Sequence, residues 1–253
     1  MASGKVALVT GAGRRRIGWH VADALAKRGY AIGIQYRTSA AEAAETVRHM
    51  QSQGVDSAAF ATDISDEKAV RNLVKEVITH FGHIDVLVCT AAAWNSKPLE
   101  DVTATDVRGF LETNTLGTFL CCQHVGLAMV KQPEGGSIIT FGDWACARPY
   151  VNYSAYFPSK GAIPTLTRTL AVELAARNPR IRVNCILPGP VMLPANLSAA
   201  EREQAIQGTL VKREGSPQNI ALAVLHFIEN DFVTGACLAV DGGRSIYATD
   251  SEV

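Results

Sequence analysis

Short apolar segments alternate with longer stretches of helical spacing along the whole chain. The apolar segments are rich in β-branched residues and read, in chain order, KVALVT, AIGIQY, DSAAFAT, IDVLVCT, GSIITF, IRVNCIL and CLAVD. Apolar residues recur at helical spacing in Ile17–Arg28, Ala40–Gln53, Glu67–Phe81 and Thr103–Lys131. Strands that are apolar almost throughout need cover on both faces, which is typical of a parallel sheet. We therefore predict one α/β domain over residues 1–253, a doubly wound Rossmann fold with helices on both faces.

Composition excludes several classes of function. The 253 residues carry 24 basic and 24 acidic side chains, so no charge footprint for nucleic acid or an acidic membrane is expected. The apolar runs are too short to cross a bilayer, and MASGKVALVTG enters a strand without a secretory pattern. Six cysteines without a CxxC pattern indicate reduced packing residues in a cytoplasmic protein. The six histidines lack metal-ligand spacing, so we predict no metal site.

A glycine-rich turn follows the first strand and opens the first helix. Ligands of doubly wound sheets bind beyond the carboxyl ends of the strands, where glycines and a helix N-terminus suit a pyrophosphate. A tight turn without a ligand is the alternative for such a pattern. The predicted phosphate contacts are Gly11, Gly13, Arg15, Arg16, Ile17 and Gly18.

The second strand ends in Tyr36-Arg37-Thr38, with an arginine where an NAD site usually has an acid. A guanidinium grips a phosphate through paired hydrogen bonds, so Arg37 favours NADP(H), with Tyr36 and Thr38 beside it. Asp63 follows the third strand. It either receives the adenine amino group or caps the helix that begins near Ser65.

Tyr156 and Lys160 are four residues apart, which places them on one face of a helix after the fifth strand. Asp143 precedes the tyrosine by thirteen residues, at the end of an apolar run. A phenol and an ammonium group at this position suggest proton transfer.

The chain resembles the short-chain dehydrogenase/reductase family over nearly its whole length. The resemblance rests on this pair together with the Thr10–Gly18 turn, Asp63, Asn114, Pro188-Gly189 and the closing VTGACLAVDGG. The resemblance implies seven parallel strands, a small-molecule substrate and a homotetramer. It implies that Tyr156 protonates the reduced atom, and that Lys160 lowers the tyrosine pKa and holds the nicotinamide ribose. Asn114 would anchor a water chain to that lysine. Further cofactor contacts are implied at Ile64, Thr90, Ala91, Pro188, Gly189 and Val191.

Departures from the usual family pattern resemble the pteridine reductases and the dihydromonapterin or dihydrofolate reductases of the short-chain type. Asp143 stands where most members have serine, and Cys89–Trp94 replaces their NNAG turn. A buried carboxyl near Tyr156 can relay a proton to a ring nitrogen, and Trp94 offers a face for a flat heterocycle. The alternatives are that Asp143 caps a loop and that Trp94 packs at the pocket rim. Met192 completes the predicted substrate contacts.

Two other functions fit the same motifs. An NADPH-dependent carbonyl reductase, acting on a 3-oxoacyl thioester or a sugar ketone, is the enzymatic alternative. A non-catalytic NADP-sensing protein is disfavoured by the retained Tyr156, Lys160 and Asn114.

Three segments carry further expectations. We expect Pro158 to sit in the first turn of its helix and Pro164 to kink that helix. Residues 190–215 are expected to form a substrate lid, whose apolar rim includes Met192, Leu193 and Leu197. The tail 244–253 extends past the last strand.

Overall fold

The computed structural model describes residues 4–194 and 197–247. Within them, strands β1–β7 span Val6–Thr10, Ala31–Tyr36, Ser57–Ala61, Val86–Cys89, Gly136–Phe141, Ile181–Pro188 and Cys237–Val240. They form one parallel sheet in the order β3-β2-β1-β4-β5-β6-β7. Helices α1–α8 span Ile17–Ala26, Ala40–Ser52, Glu67–Phe81, Ala104–Phe110, Gly117–Val130, Tyr156–Ala175, Ala199–Gln207 and Pro217–Glu229. The predicted seven-stranded doubly wound fold is therefore confirmed.

Both faces of the sheet are buried, because alternate residues of each strand enter different cores. Leu8 and Ile138 belong to a core covered by α3, α5 and α6. Val9 and Ile139, one position along the same strands, belong to a core covered by α1, α2 and α8. This explains the nearly unbroken apolar strands of the sequence.

The predicted helix over Thr103–Lys131 is divided into three parts. Thr103 caps α4 through a capping box with Asp106, and α4 ends at Phe110. Leu111–Leu116 then form a π-helical segment before α5 begins at Gly117. The helical spacing of this stretch is confirmed, but apolar spacing does not register the local widening of the turns. Such π-helical segments occur mostly at functional sites, and this one carries Asn114.

Helix α6 runs without interruption past both of its prolines. Pro158 is the third residue of the helix, as expected, where a missing N–H costs little. Pro164 lies in the interior and cannot donate to the carbonyl of Lys160. In the residues that the structure describes, no helix has the length and hydropathy needed to cross a bilayer.

Candidate active site

A cavity of about 840 Å³ opens beyond the carboxyl ends of β1, β4, β5 and β6. Parallel strands bring the residues that follow them to this one edge of the sheet. Residues that lie far apart in sequence line it together, among them Arg16, Thr90, Asp143, Tyr156, Lys160 and Gly189. The loop after β6 and helix α7 cover one side.

The glycine-rich turn packs tightly against the loop after β4. Gly11 has a φ of +67°, and a Cβ atom there would lie 2.6 Å from Cα of Ala91, so only glycine fits. A Cβ atom on Gly18 would overlap with Oγ1 of Thr90. The amide of Ala91 in turn donates to Oγ1 of Thr10 at 3.2 Å. The turn is thus held by close backbone contact between β1 and β4.

Gln35, which sequence reasoning missed, fastens the same turn from β2. Its Oε1 accepts from the amide of Gly11 at 2.9 Å, and its Nε2 donates to the carbonyl of Thr62 at 2.7 Å. The side chain is buried. Its signal in the sequence is an amide inside the otherwise apolar strand AIGIQY.

The N-terminus of α1 is open toward the cavity. Arg16 is the N-cap residue and its side chain forms no cap hydrogen bond. Ile17 and Arg16 both line the cavity. Uncapped first-turn amides and the helix dipole make this a suitable place for an anion.

The three consecutive arginines of the turn have separate contacts. Arg14 is paired with Glu42, at 3.4 Å between Nε and Oε1. The guanidinium of Arg15 lies 4.6 Å from the centre of the Trp19 ring. Arg16 lines the cavity, so of the three it is the one the structure brings to the candidate site.

A second cluster of polar side chains lies just beyond the carboxyl ends of β2 and β3. Nη1 of Arg37 lies 3.7 Å from Oδ2 of Asp63, and both side chains are largely exposed. Oδ1 of Asp63 accepts from the amide and the hydroxyl of Ser65, and these hydrogen bonds hold its pKa below its ordinary value. Asp66 caps α3 instead, so the alternative of Asp63 as the helix cap was wrong. Thr38 is exposed beside Arg37.

Two predicted cofactor contacts pack against neighbouring residues. Gly13 packs against the end of β2 and the start of α2, where an added Cβ atom would lie 2.9 Å from Cβ of Tyr36 and 2.5 Å from Oγ of Ser39. The side chain of Ile64 is buried in the core beneath Gly117. The predicted contacts Thr90, Pro188, Gly189 and Val191 do line the cavity.

Asp143 and Tyr156 meet at the base of the cavity. The phenolic hydroxyl donates to Oδ2 of Asp143 at 2.9 Å. Oδ1 accepts from the amide of Ala145 at 2.9 Å and begins a short 3-10 turn over Trp144–Cys146. Burial raises the pKa of the Asp143 carboxyl above its ordinary value, against the opposing effect of these hydrogen bonds. The carboxyl therefore both caps a loop and contacts the tyrosine.

Lys160 points to the strand and not to the phenol. Its Nζ donates to the carbonyl of Phe141 at 2.8 Å, and the side chain is buried. Burial lowers the pKa of Lys160, while the charge of Asp143 opposes that shift. Burial, followed by the charge and hydrogen bond of Asp143, raises the pKa of Tyr156 far above its ordinary value. The predicted lowering of the tyrosine pKa by Lys160 stays a prediction.

Asn114 joins three parts of the site. Its Oδ1 accepts from the amide of Ala93 at 2.8 Å, and its Nδ2 donates to the carbonyl of Ala93 and to Oγ of Ser159. Its own carbonyl accepts from the hydroxyl of Thr118 at 2.7 Å. Asn114 thus ties the loop after β4 to α6, next to Lys160. Its predicted role in a water chain stays a prediction.

Aromatic rings wall the outer part of the cavity. Trp94, half exposed, stacks on Tyr153 with ring centres 5.4 Å apart and planes inclined by 28°. Trp144 stacks on Tyr150 with ring centres 6.2 Å apart. All four line the cavity. Sequence reasoning missed Tyr150 and Tyr153, although the run ARPYVNY places them just before Tyr156 and Lys160.

Residues 190–215, the predicted lid, bring Met192 to the cavity, and α7 within this segment covers one side of the cavity. Met192 has a φ of +55° and lines the cavity, as do Leu193 and Leu197. Glu214 fixes the segment, since Oε1 accepts from the amide of Leu193 at 2.9 Å. Residues 195–196 of the predicted lid and 248–253 of the predicted tail lie outside the described residues.

Comparison with known proteins gives consistent matches over the whole chain. A family model described as enoyl-(acyl carrier protein) reductase matches residues 11–245. The chain is 32% identical over 259 residues to versicolorin reductase 1 of Aspergillus parasiticus, covering 95% of this chain and 96% of that protein. It is also 32% identical over 244 residues to a 3-oxoacyl-(acyl-carrier-protein) reductase of Staphylococcus epidermidis, covering 94% and 98%.

Solved structures share the fold as well. A short-chain dehydrogenase from Burkholderia cenocepacia, in complex with NADP, superimposes with a TM-score of 0.87 at 32% identity. The alignment covers 95% of this chain and 98% of that chain.

Proposed function

Since this chain belongs to the short-chain dehydrogenase/reductase family of oxidoreductases, we propose that it is an NADPH-dependent reductase of pterin- or dihydropterin-type substrates. The observation that carries the proposal is the 2.9 Å hydrogen bond from Tyr156 to Asp143 inside an aromatic cavity. An acid at this position suits a substrate that gains a proton on a ring nitrogen.

The residues at the strand ends fit a dinucleotide phosphate. The open N-terminus of α1 and Arg16 suit the pyrophosphate, and the close packing of Gly11 keeps side chains out of the turn. The exposed guanidinium of Arg37 suits a 2′-phosphate, which would compete with Asp63 for it. When bound, the cofactor supplies a hydride. The related structure in complex with NADP supports this choice.

The aromatic wall fits a flat ring system. Trp94 and Tyr153 stack face to face at the cavity, and the outer ring face of half-exposed Trp94 is available to a ligand. A carboxyl group can accept hydrogen bonds from ring N–H and amino groups, which a pterin has and a simple ketone lacks. These features favour a nitrogen heterocycle.

Tyr156 and Asp143 supply the proton in this proposal. The raised pKa of Tyr156 keeps the phenol protonated at neutral pH, so it is a donor. The raised pKa of Asp143 increases the fraction of the carboxyl that carries a proton. A protonated Asp143 can reprotonate Tyr156 along their hydrogen bond after the phenol has donated to the substrate. Once Asp143 has given up its proton, the positive charge of buried Lys160 stabilises the carboxylate, which takes up a proton from the solvent in the cavity before the next turnover.

A carbonyl reductase is the second candidate, and the names of the relatives favour it. The Staphylococcus epidermidis relative is a 3-oxoacyl-(acyl-carrier-protein) reductase. With a ketone, Tyr156 would donate directly to the carbonyl oxygen. Asp143 would then be a disadvantage, because an ionised carboxylate repels that oxygen.

A direct comparison of substrates tests the proposal. NADPH oxidation is followed with dihydrobiopterin, dihydromonapterin, dihydrofolate and an acetoacetyl thioester under identical conditions. The proposal expects kcat/KM for at least one pterin to exceed that for the thioester. Turnover of the thioester alone would contradict it and support the carbonyl alternative.

A further inference from the structure

Arg244, in the turn after β7, joins the lid to the loop that carries Asp143. Nη1 of Arg244 donates to the carbonyl of Ala205 at 2.6 Å. Ala205 lies in the last turn of α7, whose carbonyls lack partners within the helix. A cation at a helix C-terminus also interacts favourably with the helix dipole. The guanidinium therefore caps the end of the lid helix.

The same guanidinium covers an aromatic residue of the cavity. Its Cζ lies 4.9 Å from the centre of the Trp144 ring. Trp144 directly follows Asp143, and the 3-10 turn that it begins is held by Oδ1 of Asp143. Arg244 and Trp144 both line the cavity. One side chain thus contacts the lid and the neighbour of the proposed proton donor.

The guanidinium of Arg244 occupies the space next to Gly208 where a side chain would lie. Its φ is −70°, so its backbone conformation does not require glycine. A Cβ atom there would overlap with Nη1 of Arg244 and lie 2.6 Å from its Cζ. An alanine at 208 is accommodated only if the guanidinium moves away.

The backbone of Arg244 is fixed as well. The buried carboxyl of Asp241 accepts from the amides of Gly243 and Ser245 at 2.9 and 2.7 Å. The carbonyl of Arg244 accepts from Nη1 of Arg148 at 3.1 Å. The side chain therefore starts from a well-defined turn.

We propose that Arg244 is a positioning residue that fastens α7 over the cavity and, through Trp144, holds the loop bearing Asp143 in place. The part concerning Asp143 rests on the proposed function. The fastening of the lid does not depend on it. Loss of the guanidinium would leave the carbonyl of Ala205 without the partner seen here and Trp144 without its cover.

The first test measures the lid without any substrate. Amide hydrogen exchange is compared between the unchanged protein and Arg244→Met. Peptides from α7 are the readout, and peptides from helix α3, none of whose residues line the cavity, are the folding control. We expect exchange in α7 to become about tenfold faster, as for the loss of one charge-assisted hydrogen bond, with α3 unchanged. Arg213→Met is the matched control, since Arg213 donates to the carbonyl of the next residue, and it should leave α7 unchanged. Unchanged exchange of α7 in Arg244→Met would overturn the proposal.

Gly208→Ala provides a second route to the same effect. This variant keeps Arg244, but the added methyl group occupies the space of the guanidinium. Amide exchange in α7 should therefore become faster, as in Arg244→Met. The double variant should show little more than either single variant, because both remove one interaction. Fully additive effects would contradict the proposed contact. This variant also keeps the test decisive if Arg244→Met does not fold.

Steady-state kinetics then separate the lid from the proposed function. In Arg244→Met we expect KM for the preferred substrate to rise about tenfold with KM for NADPH unchanged, and Arg244→Lys to recover part of the loss. An equal rise in both KM values would contradict a role at the substrate end. If the pterins are not substrates, the proposed function fails, whereas the exchange result still decides the role of Arg244 in the lid.

Discussion

The phenolic hydroxyl of Tyr156 donates to Oδ2 of Asp143 at 2.9 Å, while Lys160 donates to the carbonyl of Phe141. The tyrosine is therefore paired with an acid and not with the lysine one helical turn further along α6. Burial and the nearby carboxylate raise the pKa of Tyr156, so the phenol stays protonated. In the proposed mechanism Tyr156 donates its proton to the substrate and Asp143 replaces it.

Tyr156→Phe should abolish most turnover because it removes only the hydroxyl that donates the proton. We expect kcat to fall by about 10²–10⁴-fold with NADPH affinity retained. Stopped-flow absorbance for hydride transfer and fluorescence titration for NADPH provide the two measurements. Tyr30→Phe, in the core covered by α1, α2 and α8 and away from the cavity, is the control and should keep its kcat. Near-normal kcat in Tyr156→Phe would exclude the phenol as the donor.

The rate should decline as the pH rises. Burial raises the pKa of Asp143 above its ordinary value of 3.8, and the protonated form is the one that reprotonates Tyr156. Activity is then highest below the raised pKa and is lost as the pH passes through it. A pH profile of kcat measures this loss of activity, and the loss should be absent in Asp143→Asn. If Asp143→Asn loses activity with the same midpoint pH, another group is responsible for the pH dependence.

Arg37→Ala should change the preference between cofactors. The guanidinium at the end of β2 suits a 2′-phosphate, and charge-assisted hydrogen bonds contribute about 1.5–3 kcal/mol. We expect KM for NADPH to rise about tenfold or more while KM for NADH stays nearly constant. Arg71→Ala, which removes a surface ion pair with Glu67, is the control. Equal increases for the two cofactors would defeat the assignment of Arg37.

Asn114→Ala should destabilise the fold as well as the site. It leaves the amide and carbonyl of Ala93 and the hydroxyl of Ser159 without the partner seen here. Unsatisfied buried groups cost about 1–3 kcal/mol, so the free energy of unfolding should fall by roughly that amount. Urea denaturation followed by circular dichroism measures it. An unchanged midpoint would mean that the hydrogen bonds of Asn114 between the loop after β4 and α6 contribute little to the stability of the fold.

The fold was predictable because its signals are local and repeated. Apolar segments such as KVALVT enter cores on both faces, so their pattern alone specifies a covered parallel sheet. The π-helical segment at Asn114 was not predictable, because its widened turns have the same apolar spacing as a regular helix.

The candidate site was predicted less completely. The positions of Tyr156, Lys160 and Asp143 follow from spacing and the edge of the sheet, and the structure brings them together. The direction of Lys160 and the partner of Tyr156 depend on three-dimensional packing, which spacing does not encode. Gln35 and Arg244 contact distant segments, so the sequence shows only an amide in an apolar strand for Gln35 and no local signal for the contacts of Arg244. The pterin substrate, the homotetramer and the cytoplasmic location stay predictions.

The most direct test of the central claim exchanges Asp143 for the residue usual in the family. Asp143→Ser and the unchanged protein are compared for NADPH-dependent reduction of dihydrobiopterin and of an acetoacetyl thioester, with NADPH affinity measured in parallel. The account predicts that kcat/KM for the pterin falls at least about a hundredfold while NADPH affinity is retained and the thioester loses little or gains. Full pterin reduction by Asp143→Ser would contradict the role of Asp143 in delivering the proton.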